Sequence, residues 1–193
     1  MLELWQQRFG HANYKQVEKV SKLEAVIGLP KFGKIKKNVC GPCQLGKQTK
    51  STHPKVNVVA TSRPLELLHV DLIGPTRTES MGRRHAKRYT MVVVDDFSRY
   101  SWMEFLREKS KACKKMKRLC KKLQNEKGGP IVKIRSDHGK EFKNVKFEAF
   151  CNEHGIKKEF LALKTPQQNG VVERKNWVIQ EMARVMLLNK DIP

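Results

Sequence analysis

Two short runs of alternating apolar residues in this chain each carry an aspartate at a similar place. In Ile131-Val132-Lys133-Ile134-Arg135-Ser136-Asp137 the acid comes last, and in Leu67-Leu68-His69-Val70-Asp71-Leu72 it interrupts the run. Thirty-five residues separate Asp137 from Glu173, which lies near the start of a long helical pattern after Thr165-Pro166-Gln167-Gln168-Asn169-Gly170. Acids carried on separate strands and a helix meet only if those elements pack side by side. The pattern therefore calls for a sheet with helices on its faces.

The remaining periodicities agree. Glu66 to Ile73 reads as a strand stopped by Gly74-Pro75. Arg88 to Asp96, centred on Met91-Val92-Val93-Val94, reads as a buried strand, and Tyr100 to Leu106 completes an antiparallel meander. Ser110 to Gly128 predicts a helix, with Ser110 as N-cap and Gly128 as stop. Its apolar face is Ala112, Cys113, Met116, Leu119, Cys120 and Leu123. A strand at 131–136 follows, then a short helix with Phe147, Phe150 and Cys151 inward and Gly155 as cap, then a strand at 156–161. The last helix runs to about Asn189, with Val171, Val178, Met182 and Val185 expected inward. Glu173, Trp177, Gln180 and Arg184 are expected on its other face. The order βββαβαβα predicts an α/β fold with a mixed five-stranded sheet flanked by helices.

Charge narrows the partners. Forty Lys and Arg against nineteen acids give +21, a field that attracts polyanions, nucleic acid first among them. Seven of the basic residues fall within 111–122. On an amphipathic helix such a run is more often a solvated face than a dedicated ridge for DNA. Five cysteines without a signal peptide, and no run long enough to span a bilayer, predict an intracellular rather than a secreted setting. Cys40-Gly41-Pro42-Cys43 then reads as a metal hook. Asn13 predicts a helix N-cap ahead of a helix to about Leu23.

Three convergent acids suit phosphoryl transfer by two divalent cations, because hard cations take carboxylate oxygens. Spacing alone does not separate Asp71, Asp137 and Glu173 from ordinary strand-end acids, since Asp95, Asp96 and Glu141 sit in comparable places. The wider contexts do. Leu68-His69-Val70-Asp71-Leu72-Ile73-Gly74-Pro75, Asp95-Asp96-Phe97-Ser98-Arg99, Arg135-Ser136-Asp137-His138-Gly139-Lys140-Glu141-Phe142 and Thr165-Pro166-Gln167-Gln168-Asn169-Gly170-Val171-Val172-Glu173-Arg174-Lys175-Asn176 resemble, in order, the core of retroviral-type integrases. The nearest resemblance is to the integrases of copia-type LTR retrotransposons, over essentially the whole chain.

That resemblance implies an RNase H-like fold and Mg²⁺ or Mn²⁺ at Asp71, Asp137 and Glu173. It also implies insertion of element DNA into target DNA, by in-line attack of water or a 3′-hydroxyl on a phosphodiester. Gln167, Gln168, Asn169 and Gly170, with Arg174 and Lys175, are the implied DNA contacts. Trp177 stands where the family places a basic residue one turn after the catalytic Glu; it can stack on a base but cannot pair with phosphate. Asp95 and Asp96 are expected to be structural, and His138 and Glu141 to support the site from outside it.

Leu4-Trp5-Gln6-Gln7-Arg8-Phe9-Gly10-His11 and Val39-Cys40-Gly41-Pro42-Cys43 are similar to the pre-integrase region of the same family, which binds structural zinc through two histidines and a C-x-x-C pair. The residue after Trp5 is Gln6 where the family has His. His11, Cys40 and Cys43 remain, one short of the usual four ligands. His53 or water is the candidate for the fourth place, and loss of zinc is the alternative.

The expected organisation is a helical, zinc-finger-like module and linker over 1–60 and a catalytic core over 61–193. The chain stops at Pro193 soon after Glu173, so a fragment or truncated copy is expected. The resemblance also implies a homo-oligomer acting on DNA in the nucleus or in an intracellular virus-like particle, with no membrane. Two rivals remain: an inactive copy that binds nucleic acid only electrostatically, and an RNase H-type nuclease.

Overall fold

The computed structural model describes residues 1–33, 39–47, 61–76, 87–160 and 170–190. The chain divides into two compact units, one of Met1–His53 with Trp177–Pro193, the other of Pro54–Asn176.

The larger unit is built on five strands. They are β1 (Leu67–Ile73), β2 (Tyr89–Asp95), β3 (Ser101–Leu106), β4 (Lys133–Ser136) and β5 (Lys157–Phe160), in the order β3-β2-β1-β4-β5. The first three form the expected antiparallel meander, while β4 and β5 run parallel to β1. This mixed sheet with helices between its parallel strands is the RNase H-like fold that the motifs implied.

Alternation along the strands sorts the side chains by face. Leu68, Val70, Met91, Val93 and Ile134 share one buried cluster with Met116, Leu119, Cys120 and Leu123 of α4 (Ala112–Lys127). Phe147, Phe150 and Cys151 of α5 (Val145–Glu153) belong to the same cluster, along with Phe142. Each large apolar side chain so enclosed contributes about 1.5–3 kcal/mol. Val92 and Val94 of β2 face the other way and are buried too, so this strand is covered on both sides. His69 and Asp71 of β1 lie on that second face.

Local signals explain the helix ends. Gly128 ends α4 at φ +63°, a left-handed conformation that a residue without Cβ adopts at no steric cost. Ser110 is not the N-cap that its type predicts. A 3₁₀ turn over Lys109–Lys111 precedes α4, and the Ser110 hydroxyl donates instead to Glu108 Oε2 at 3.0 Å. Asn144 caps α5, its side-chain oxygen accepting from Phe147 N at 2.9 Å.

The smaller unit contains α1 (Leu2–Arg8), α2 (Tyr14–Lys22), α3 (Gly41–Gly46) and the end of α6 (Gly170–Leu188). Asn13 caps α2 as expected, accepting from Lys15 N at 2.9 Å. Neither α1 nor α3 was legible in the sequence, because each is too short for a clear period. A Cβ on Gly10 would lie 2.7 Å from Met182 Cε, and one on Gly46 would lie 2.6 Å from Val185 Cγ2. Both glycines are thus sites of close helix approach.

Candidate active site and metal centre

Register brings the first two acids to the same end of the sheet. Val70 is paired with Ser136 in the parallel β1–β4 ladder, so Asp71 and Asp137 are the next residues of adjacent strands. Glu173 enters from the first turn of α6. Asp137 and Glu173 are exposed and Asp71 is half-buried. Burial, reinforced by the negative charges of Asp137 and Glu173, pushes the Asp71 carboxyl up to about 6. Two hydrogen bonds oppose that rise, from its own strand's Leu72 N–H and from Asn176.

Asn176 is the residue that sequence reasoning missed. Its Nδ2 donates to Asp71 Oδ2 at 2.6 Å, while its Oδ1 is buried without a hydrogen-bond partner among the described residues. The signal available was its position three residues after Glu173, which puts both on neighbouring faces of one helical turn. Along α6 the expected inward face holds at Val185 and fails at Val178. Val172, Asn176 and Val185 are the buried residues of α6, and Val178 is 40% exposed. A polar side chain turned inward to meet Asp71 is invisible to an argument from apolar period.

The loop after β4 is shaped around Asp137. Its Oδ1 accepts from Gly139 N at 3.1 Å. A Cβ at position 139 would crowd Asp137 Oδ1, at 3.0 Å, and the Glu141 carboxylate. Glu141 pairs with Lys109 at 3.3 Å, and His138 stacks on Phe160 with ring centroids 5.2 Å apart. Asp95 and Asp96 are structural, as expected. Asp95 accepts from Leu65 N and from both the N–H and hydroxyl of Ser98. Asp96 accepts from Thr61, forms an ion pair with Arg99 and pairs with buried His69 at 3.1 Å.

Among the described residues, only His11, Cys40 and Cys43 bring their ligand atoms all within 4.8 Å of one another. The three acids therefore converge more loosely than that. Their donor set is nonetheless of the hard, anionic kind that divalent cations take. Burial first, and the charges of Asp137 and Glu173 second, disfavour the ionised Asp71 carboxyl, and a bound cation would favour it.

Of the implied DNA contacts, Gln167, Gln168 and Asn169 lie outside the described residues. Gly170 opens α6, Arg174 is exposed, and Lys175 and Trp177 are half-buried. The basic face of α4 is partly engaged within the protein. Lys115 and Arg118 reach Glu104 at 2.8 and 3.6 Å, and Lys122 reaches Glu126 at 3.5 Å. Lys114 and Lys121 are exposed.

In the smaller unit, His11 sits at φ +59° after Gly10, and this left-handed pair turns the buried imidazole toward α3. His11 Nδ1 lies 3.4 Å from Cys40 Sγ and 3.7 Å from Cys43 Sγ. Ligands at zinc bond lengths in a tetrahedron stand about 3.5–3.8 Å apart, so the three donors fit zinc. Burial lowers the His11 imidazole, keeping it neutral as a ligand must be, and raises the Cys43 thiol. Metal binding there must therefore release a thiol proton. His53 lies outside the described residues.

The family model for the integrase core domain matches residues 61–166, more than half of the chain. The chain belongs to the integrase core family. The model for the GAG-pre-integrase domain matches residues 1–48 ahead of that core. A Nicotiana tabacum protein, the retrovirus-related Pol polyprotein from transposon TNT 1-94, is 32% identical over the whole chain. The chain spans 14% of that polyprotein's length. These matches agree with the copia-type resemblance of the motifs. Among solved structures, the integrase core is similar to the HTLV-2 integrase catalytic core domain in complex with magnesium (TM-score 0.46, 22% identity, 67% of this chain and 77% of that one). It is also similar to a chain of the simian T-cell lymphotropic virus intasome (TM-score 0.45, 17% identity, 64% of this chain and 48% of that one). Among the described residues no helix is long and apolar enough to cross a membrane.

Proposed function

We propose that this protein is a metal-dependent polynucleotidyl transferase of the integrase type, with Asp71, Asp137 and Glu173 as its catalytic acids. The observation that carries the reading is the half-buried Asp71 carboxylate, acted on by the charges of Asp137 and Glu173 and held by Asn176. Asp71 and Asp137 would hold Mg²⁺ or Mn²⁺ jointly, and Glu173 would complete the second position. Bound there, divalent cations supply activation of the attacking oxygen and charge stabilisation at the leaving oxygen. The chain's own contribution is positional. Asn176 orients Asp71, Gly139 N–H orients Asp137, and the first turn of α6 presents Glu173. The substrates are DNA ends and target DNA, drawn to a chain of net charge +21. A homo-oligomer in the nucleus or in a virus-like particle is the setting that goes with this chemistry. His11, Cys40 and Cys43 would hold a structural Zn²⁺ in the smaller unit.

Strand transfer, or its reversal on branched DNA, tests the reading. The wild type should be active with Mg²⁺ or Mn²⁺, and Glu173→Gln should not be. An inactive wild type would leave the second reading, electrostatic nucleic-acid binding alone, which the exposed Lys114 and Lys121 favour. That reading requires affinity falling linearly with salt on logarithmic axes and no preference for element ends.

A further inference from the structure

Gln6 stands in α1 at the position that the sequence marks as the missing fourth zinc ligand. Its side chain is 3% exposed, and its amide Nε2 lies 3.4 Å from Cys43 Sγ. That separation matches the 3.4 and 3.7 Å from His11 Nδ1 to the two sulfurs. All three are close to the ligand–ligand spacing of about 3.5–3.8 Å around a tetrahedral zinc. Reach is equivalent as well. A glutamine Oε1 and a histidine Nε2 are each three bonds from Cβ, so one side chain substitutes for the other without moving the helix.

We propose that Gln6 is the fourth member of this centre, binding Zn²⁺ through its carboxamide oxygen. The amide is two-sided. Its N–H suits a neighbouring thiolate, and its oxygen suits a cation between the thiolates. Rotation about the last side-chain bond, a torsion with a broad two-fold profile, exchanges the two. The centre then has two sulfurs, one nitrogen and one neutral oxygen, and keeps zinc more weakly than a set with a second imidazole. The proposal rests on the zinc reading of His11, Cys40 and Cys43.

Zinc affinity of the full chain, measured by competition with a chromophoric chelator, tests it, with Co²⁺ absorption as a readout of coordination. Gln6→Leu should weaken binding by about tenfold or more and shift the Co²⁺ ligand-field bands as water replaces the amide oxygen. Gln6→His and Gln6→Glu should both tighten it, the latter because an anionic oxygen replaces a neutral one at the same reach. The Co²⁺ spectrum of Gln6→Leu decides the case, because a spectrum unchanged from wild type means that the amide is no ligand and overturns the proposal. An amide acting only as a donor to Cys43 would, as a carboxylate, repel the thiolate, and weakened binding by Gln6→Glu overturns the proposal. Unchanged affinity in all three variants, with His11→Ala abolishing binding, also overturns it but leaves the zinc centre standing. A wild type that binds neither ion better than Cys43→Ser removes the zinc reading itself. Should Gln6→Leu fail to fold, Gln6→Ala carries the same Co²⁺ readout.

Discussion

Asn176 and Asp71, 105 residues apart in the chain, are joined by a 2.6 Å hydrogen bond from Asn176 Nδ2 to Asp71 Oδ2. The bond fixes one carboxylate oxygen of Asp71. A hydrogen bond to a charged group contributes about 1.5–3 kcal/mol. Asn176→Ala should therefore lower the strand-transfer rate by roughly ten- to a hundredfold. Because the substitution also removes a buried carbonyl without a partner, melting temperature should change little. A large loss of stability with normal kinetics in the folded fraction would contradict this division.

Asp71 predicts a pH dependence of stability. Its folded-state carboxyl is raised to about 6 from an ordinary value of 3.8, so the native state binds the proton more tightly than the unfolded one. Stability from this group is present at low pH and falls as pH rises from about 4 through 6, then levels off. In metal-free protein above that window, Asp71→Asn should raise the melting temperature. The gain corresponds to roughly 1–3 kcal/mol and should vanish below pH ~4. Added Mg²⁺ should stabilise the wild type and not the variant, as thermal unfolding with and without a chelator would reveal.

Gly139→Ala should separate activity from stability. The added Cβ crowds Asp137 Oδ1, on an exposed side chain, and the Glu141 carboxylate, the end of a flexible one. Folding should be retained, with a change within about 1 kcal/mol, because the yielding atoms are side-chain ends. Strand transfer should fall as Asp137 is displaced. Full activity would show that the loop geometry around Asp137 is dispensable.

Asp95→Ala should do the reverse. Asp95 is 1% exposed and accepts from Leu65 N at 2.9 Å and from Ser98 N at 2.8 Å. Truncation strands a buried N–H and loosens the β2–β3 turn, at a cost of about 3 kcal/mol. Denaturant unfolding should show the loss, with divalent-metal binding to the surviving folded protein unchanged.

How much was visible in advance follows from the reach of each signal. The buried strand β2 and helix α4 were legible because of their sustained apolar patterns. Gly128 was legible as a stop because only its type adopts that φ cheaply. Ser110 misled because a cap depends on where the chain enters the helix, and Glu108 offered its hydroxyl a nearer partner. On α6, Val185 is buried as expected, but the inward Asn176 was not foreseen, because polar contacts of that kind follow no period.

The sequence by itself determined the family, the strand order of the meander and the identity of the candidate acids, since these rest on local pattern and ordered motifs. It also marked Gln6 as the odd residue at the zinc hook. Only the tertiary structure decided that Val70 lies beside Ser136, which sets Asp71 of β1 next to the end of β4, where Asp137 follows. Only it brought Asn176 to Asp71 and the Gln6 amide to Cys43. Those three relationships join residues tens of positions apart. Their geometry depends on sheet register and helix rotation, which no single segment of the chain encodes.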